Sequence, residues 1–367
     1  MNIAVMGAGA IGCFIGGMLS AAGHAVTLIG RPRLMNKIQQ DGLTIRRPGK
    51  PDLLTRPQTC TTVPDRGPFE VIFVTVKMPA LPAAADELAG LLEKSAARLV
   101  AMQNGVGAEE HLTGRFGAER VVAGTITIPI QVPESGLIEV SKDKGGLGLA
   151  AMSAGQSGFV RQLAGTLTQA GLPTRIYPDY RAMKWSKLLL NIVTNASSAI
   201  LDEPPARIVA HPELFNLEIE ALAEGVSVMK AQGIGAVSLP GYPVEWLARL
   251  VSAPYLPLSL KRAILRPAMQ SGRGSKMPSL HIDLAAGRTT TEIDALNGAI
   301  VRAGQSLGLP TPANSTLVEI FHQLASGKTE RQAYRGRPDK LLAYRRRFRG
   351  PAAPESNHSS PTPGTSL

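Results

Sequence analysis

The stretch 2-NIAVMGAGAIGCFIGGMLSAAGHAVTLIG-30 decides the fold. Asn2–Met6 is a short apolar run that reads as a strand. Gly7-Ala8-Gly9-Ala10-Ile11-Gly12 follows at once, an apolar helical run continues to Ala22, and Ala25–Ile29 reads as a second strand. Alone, G-x-G-x-x-G says little. Set between a strand and a helix, in a unit of about thirty residues, it specifies a dinucleotide-binding turn. Gly7 permits the tight turn, Gly9 lets the backbone approach a pyrophosphate, and Gly12 lets helix and strand pack closely. The phosphates then meet the N–H groups and positive dipole end of the helix.

The cofactor follows from the end of the second strand. An NAD site places Asp or Glu there to hold the ribose 2′-hydroxyl. Here the chain reads Gly30-Arg31-Pro32-Arg33, and its first acidic residue is Asp41. Arginine in place of the carboxylate suits a 2′-phosphate, so Arg31 predicts NADP(H). Three further apolar runs, Val71–Val76, Arg98–Met102 and Val121–Thr127, end at Lys77, at Gln103-Asn104-Gly105 and at Ile128-Pro129. Ligands of open parallel sheets bind outside the carboxyl ends of the strands, which is where the glycines, Arg31, Lys77 and Asn104 fall. Leu137–Val140 and Gly146–Ala151 read as a hairpin extending the sheet. Thr174–Tyr177 reads as a last strand, and Pro178 marks a domain boundary.

Beyond it the pattern turns helical. Arg181–Ser198, RAMKWSKLLLNIVTNASS, has no Pro or Gly and is apolar on most of its circumference, as in a buried helix. Lys187, Asn191 and Asn195 recur at i, i+4 and i+8, one turn above the next on a single face. Buried polar groups need partners; the stripe alone fits either a structural hydrogen-bond network or a wall facing a polar ligand. Pro212–Gln232 reads as a long helix, Thr290–Leu307 as a helix opened by a Thr291-x-x-Asp294 capping box, and Thr311-Pro312 as the start of a final helix to Ser326. Gly272–Lys276 reads as a flexible basic loop. These patterns give an α/β N-terminal Rossmann domain of mostly parallel sheet (1–178), an all-α domain (179–330), and a basic, then disordered tail (331–367).

The totals narrow the class. The chain has 367 residues, is 44% hydrophobic and carries a formal net charge of +11. Cys13 and Cys60 cannot form a disulfide framework, which suits a reducing, cytoplasmic setting. The apolar N-terminal run lacks a basic flank and is interrupted by glycines, against a signal peptide or a membrane span. Between Arg331 and Arg349 eight Lys/Arg stand against Asp339 alone. With no nucleic-acid motif beside it, this stretch reads as a solvated, mobile segment. The histidines form no metal-ligand spacing, and no G-x-S-x-G elbow suggests a hydrolase.

Together these residues resemble the ketopantoate reductases (2-dehydropantoate 2-reductases). The likeness rests on GAGAIG at 7–12, Arg31, VTVK ending at Lys77, QNGVG around Asn104, KLLLNIVTN at 187–195, PSLHID at 278–283 and TEID at 291–294, and it covers about residues 1–325. The resemblance implies a helical domain like that of 6-phosphogluconate dehydrogenase. It implies NADPH-dependent reduction of a 2-oxo acid, ketopantoate to pantoate in pantothenate and CoA biosynthesis, with no nucleic-acid or membrane partner, and it allows a homodimer. Residue by residue, it implies Lys187 as proton donor to the developing alkoxide, Asn191 and Asn195 as substrate-binding amides, and Ser279 as the group that holds the substrate carboxylate. Glu292 matches the carboxylate near the substrate hydroxyl and nicotinamide. Gly7, Ala8, Gly9, Ala10, Ile11, Gly12, Arg31, Lys77 and Asn104 match cofactor contacts. The chain departs from the family at Leu201-Asp202-Glu203-Pro204-Pro205, where a further Asn is common, in the Pro- and Gly-rich 233–278 segment, and by an extra residue between Asp283 and Glu292. The alternatives are therefore a related hydroxyacid or opine-type dehydrogenase taking a larger 2-oxo acid near Arg273 and Lys276, and a non-catalytic NADPH-binding sensor.

Overall fold

A computed structural model of the chain describes residues 1–273 and 276–347; for residues 268 and 270–273 only the backbone is described. The first strands and helices follow the opening motif: β1 Asn2–Met6, α1 Ala10–Ala21, β2 Ala25–Ile29, α2 Pro32–Asp41, β3 Leu43–Arg46, β4 Leu53–Thr55 and β5 Gln58–Cys60. Next come β6 Val71–Val74, α3 Leu81–Glu93, β7 Arg98–Ala101, α4 Ala108–Phe116 and β8 Val121–Ile126. The domain closes with β9 Ile130–Glu134, β10 Leu137–Val140, β11 Leu147–Ala151, α5 Ser157–Gln169 and β12 Thr174–Tyr177.

The main sheet has the order β12-β11-β8-β7-β6-β1-β2-β5. From β5 to β8 all neighbours are parallel, and β11 turns antiparallel to β8. Strand order reverses between β1 and β6, so the crevice lies above the glycine turn, where a doubly wound sheet binds its ligand. Apolar clusters fill both faces of the sheet.

The expected hairpin of Leu137–Val140 with Gly146–Ala151 does not form. Instead β10 pairs with β9 and β3 in a second, four-stranded sheet of order β4-β3-β10-β9, while β11 joins β8. The segment 141–146 therefore crosses between sheets. The small sheet lies on α1, where Gly17 leaves room: a Cβ there would come within 2.7 Å of Ile45 Cδ1 and 2.9 Å of Leu43 Cδ2.

Among the described residues the second half is built on helices: α6 Tyr180–Ile192, α7 Asn195–Leu201, α8 Pro205–Ala210, α9 Pro212–Ala231, α10 Val244–Ser252, α11 Leu258–Arg273, α12 Ser279–Ala285, α13 Asn297–Ser306, α14 Pro312–Ala325 and α15 Pro338–Arg347. They share one apolar core that reaches the sheet at Ala123, Ala150 and Tyr177. Helix α6 lies against β8 and β11, and it comes close because β11 offers a glycine. A Cβ on Gly148 would stand 2.8 Å from Met183 Sδ.

Three expectations change here. The continuous helix over Arg181–Ser198 is two helices, α6 and α7, broken at Val193-Thr194, with Thr194 left-handed at φ 54°. The cause sits on α9: the buried Glu218 carboxylate accepts Thr194 N–H at 2.7 Å and Ser197 Oγ–H at 2.5 Å, holding the start of a new helix. The helix over Thr290–Leu307 is likewise a 3-10 turn, Glu292–Ala295, followed by α13. Ala295 directs its carbonyl to Val106 N–H at 3.2 Å, and Gly105 packs against it too closely for any Cβ.

The basic stretch after Arg331 is the third. It folds onto the helical domain instead of forming a free tail: Leu341 is fully buried, Tyr334 is buried, Gly336 N–H donates to Leu201 O at 2.8 Å, and Arg345 pairs with Glu220 at 2.9 Å. The disordered segment expected over Gly350–Leu367 lies outside the described residues, as do Gly274 and Ser275 of the basic loop, into which α11 extends as far as Arg273. Truncating the docked anchor, Leu341→Ala, should lower unfolding stability by about 2–5 kcal/mol. Urea denaturation measures this, and a change near zero would mean that the segment is not packed.

Candidate active site

The glycine turn is shaped for a dinucleotide. Gly7 has φ +104°, and Thr75 at the end of β6 donates its hydroxyl to Gly7 O at 2.6 Å, fixing the turn against the neighbouring strand. A Cβ on Gly12 would overlap the Gly7 carbonyl, whereas one on Gly9 would meet nothing within 4 Å. Gly12 is thus required by packing, whereas Gly9 faces open space. The N-cap of α1 is Gly9, without a capping side chain, and no acidic residue occupies the first turn. This cradle fits the pyrophosphate of a dinucleotide. Arg31 is exposed at the end of β2, as the N-cap of α2, with Arg33 exposed beside it. Ala8, Ala10 and Ile11 complete the turn.

The opposite wall comes from the helical domain. Lys187 is half-buried, as is Asn191, whose Nδ2 donates to Asn104 Oδ1 at 3.1 Å across the domain seam. Helical geometry places Lys187 between Lys184 and Asn191 on the same side of α6, and both of those residues reach the carboxyl edge of β7. Asn195 is not a third member of that stripe, because it opens α7 after the break. Its Nδ2 donates to Asn191 O at 3.1 Å, and its Oδ1 accepts Leu280 N–H at 3.2 Å. Ser279, at the start of α12 and half-buried, is thereby held one residue from an amide contact with Asn195.

Sequence reasoning missed two contacts of this seam. Asp283 on α12 is buried and accepts Lys77 Nζ at 2.6 and 2.8 Å; Arg288 pairs with the same carboxylate. The expected cofactor lysine thus bridges the two domains. The PSLHID segment contained the signal, an acid four residues after Ser279 on a short helix, but nothing in the sequence gave it a partner 206 positions away. The second is the buried pair of Lys184 with Glu109, at 2.9 Å. Burial pushes the Glu109 carboxyl above its ordinary range, with the Lys184 charge opposing that shift.

Of the residues expected near a larger substrate, the Arg273 side chain lies outside the described residues. Lys276 donates to Ile130 O at 3.3 Å, and burial lowers its pKa. Asp202, at the departure from the family pattern, is left-handed at φ 55°, a conformation Asp and Asn tolerate. It meets His281 Nε2 at 2.5 Å and Arg335 at 3.0 Å. Those bonds hold its carboxyl below the usual range, with His281 the main cause. Among the described residues no cluster of three or more His, Cys, Asp or Glu could hold a metal, and no helix is long and apolar enough to cross a membrane.

A glycine cradle at the switch point, with a helix packed on the carboxyl edge of the same sheet and carrying a lysine and an amide beside it, is the layout of a dinucleotide-dependent oxidoreductase. The chain matches the family model described as ketopantoate reductase PanE/ApbA over residues 3–153, and that family's C-terminal model over 179–325. It therefore belongs to the ketopantoate reductase family, NADP-dependent oxidoreductases acting on a CH–OH group.

Among its relatives, a 2-dehydropantoate 2-reductase of Pyrococcus horikoshii is 28% identical over 317 residues, spanning 86% of this chain and 95% of that one. A PanE/ApbA family ketopantoate reductase from Ralstonia eutropha superposes with a TM-score of 0.73 at 27% identity, covering 89% of this chain and 99% of the other. The ternary structure of D-mandelate dehydrogenase with NADH and anilino(oxo)acetate shares the fold at 22% identity and a TM-score of 0.73, over 89% of this chain and 99% of that one.

Glu292 stands in the first turn of its 3-10 segment and is buried. Burial raises its carboxyl above the ordinary range; Lys77 opposes the shift and Asp283 adds to it. Since folding raises this pKa, the ionised side chain costs stability once the pH passes the unfolded glutamate value of about 4.3, and the cost grows until the folded value is passed. Glu292→Gln should therefore raise the thermal midpoint at about pH 7.5, with the gain fading towards pH ~4. Melting curves over that range check it, and a lower midpoint near neutrality would contradict the assignment.

Proposed function

We propose that this enzyme catalyses NADPH-dependent reduction of a 2-oxo acid to the 2-hydroxy acid, with ketopantoate as substrate and pantoate as product, in cytoplasmic pantothenate and CoA biosynthesis. The observation that carries the reading is the Asn104–Asn191 bond, which sets the helix of Lys187 against the carboxyl edge of the nucleotide-binding sheet. NADPH supplies the hydride. Gly7–Gly12 receive its pyrophosphate and Arg31 its 2′-phosphate. Reduction puts negative charge on the substrate C2 oxygen, and the Lys187 ammonium stabilises and protonates that oxygen. Asn191 and Asn195 orient the substrate through their amides, and Ser279 holds its carboxylate.

Glu292 would stand near the substrate hydroxyl and the nicotinamide, the position its family counterpart holds. Burial raises its carboxyl above the ordinary range. Lys77, held by Asp283, keeps a positive charge at the mouth of the site for two anionic ligands. The segment after Arg331 counts against a sensor with a free basic arm, because it is docked on the helical domain. A larger 2-oxo acid is the second reading. It is favoured by the Asp202–His281 pair, which lies where the chain departs from the family and reaches the helix of Ser279.

The decisive assay is steady-state turnover of ketopantoate with NADPH. Lys187→Ala should lower kcat by about 10²–10⁴ while NADPH binding persists; unchanged turnover removes the proton-donor role. Preference for larger branched 2-oxo acids would establish the second reading. Arg31→Ala should weaken NADPH binding by about 1.5–3 kcal/mol and leave NADH binding unchanged. Fluorescence titration of both cofactors measures this, and equal affinities in the wild type would refute the phosphate contact.

A further inference from the structure

We infer that Lys184, which neither the motif nor the proposed chemistry uses, is a positioning residue for Lys187 and Asn191; this rests on the function proposed above. Its side chain is 2% exposed and its partner Glu109 1%. The ammonium donates to Gln103 O at 2.6 Å and to Gly124 O at 3.2 Å, and it faces Glu109 Oε1 at 2.9 Å. Three oxygens, from the loop after β7, from β8 and from α4, thus hold one nitrogen of α6.

Gln103 is itself fixed, since its Nε2 donates to Val74 O at 2.9 Å and Val76 O at 3.1 Å. A continuous chain of bonds therefore runs from the end of β6, next to Lys77, through Gln103 and Lys184 into α6. One turn before, Tyr180 donates to Glu110 at 3.1 Å, so two adjacent acids of α4 meet two adjacent turns of α6.

Stability alone does not account for such a pair. A buried ion pair contributes little beyond a packed apolar pair, because desolvation offsets the attraction. What apolar side chains cannot do is bond the Gln103 and Gly124 carbonyls, and those bonds fix the height and rotation of α6 above the strand ends. Lys187 lies one turn along the same face, and Asn191 one turn further. A shift of α6 moves both relative to Asn104 and to the cofactor cleft, and reaction rates fall steeply with displacements of about 1 Å.

Three variants separate positioning from mere stability. Lys184→Met leaves Glu109 as an orphan buried charge and lowers the thermal midpoint. Lys184→Met/Glu109→Gln removes that charge and recovers most of the midpoint, but both carbonyls stay unclamped; Glu109→Gln alone keeps the clamp. Both variants lacking Lys184 should lose about 10²-fold in kcat with the NADPH Kd unchanged, and Glu109→Gln should lose much less. Hydrogen–deuterium exchange should speed up over residues 103–107 and 188–192 only where Lys184 is gone. Wild-type kcat in the double variant, or unchanged exchange in those two segments, overturns the positioning role. A wild type that reduces no 2-oxo acid would instead refute the proposed function, and the exchange data would still decide whether Lys184 holds the seam.

Discussion

The ammonium of Lys184 must be satisfied where no water reaches it, and that requirement organises the join between the two halves. Its acceptors exist only where the carboxyl end of β7, the middle of β8 and the first turn of α4 come together. Helix α6 can meet that demand in one position. Gly148 permits the approach, Asn191 then falls opposite Asn104, and Lys187 is left between two anchored residues. The loop from Gln103 to Val106 is held from the other side by Ala295, whose carbonyl interrupts the helix of Glu292 to reach it. The interruption between the Glu292 turn and α13 thus traces to contact with this one loop.

Buried carboxylates serve a second structural purpose. Glu218 receives Thr194 N–H and the Ser197 hydroxyl at the start of α7, and Glu224 receives the N–H groups of Ala313 and Asn314 at the start of α14, at 2.7 and 2.9 Å. Each anion occupies a positive helix end supplied by another element. Caps of this kind act over long sequence separations, so they fix tertiary packing as well as helix limits. The Thr194 break is the consequence that matters for chemistry. It swings Asn195 off the α6 stripe and onto α12, so the amide that would face the substrate also braces the helix of Ser279.

Local patterns carried much of this into the sequence. The glycine turn, the parallel strands with their loop residues and the all-helical second half were legible, because a turn needing positive φ and the apolar periods of strand and helix are written in adjacent residues. The sites of failure share one cause. The sheet-crossing segment at 141–146, the breaks at Thr194 and Leu296, and the Lys77–Asp283 and Lys184–Glu109 pairs are decided by partners dozens to hundreds of positions away. Lys184 was the least legible of all, since a lysine on a helix three residues before a candidate catalytic lysine reads as a solvated charge. The basic stretch misled for the opposite reason: its charges conceal Tyr334 and Leu341, the two residues that dock it.

That docking alters what the protein's charge does. The positive groups from Arg331 to Arg347 lie on the helical domain, and Arg331 and Arg335 stand one ion pair from His281 on the helix that begins with Ser279. Both ligands of such an enzyme, a phosphorylated dinucleotide and a carboxylate, are anions. Fixed positive charge on a protein surface raises the local concentration of anions before any contact forms. A surface of this kind acts on how quickly ligands arrive, an effect that weakens as ionic strength rises and leaves the chemistry itself untouched.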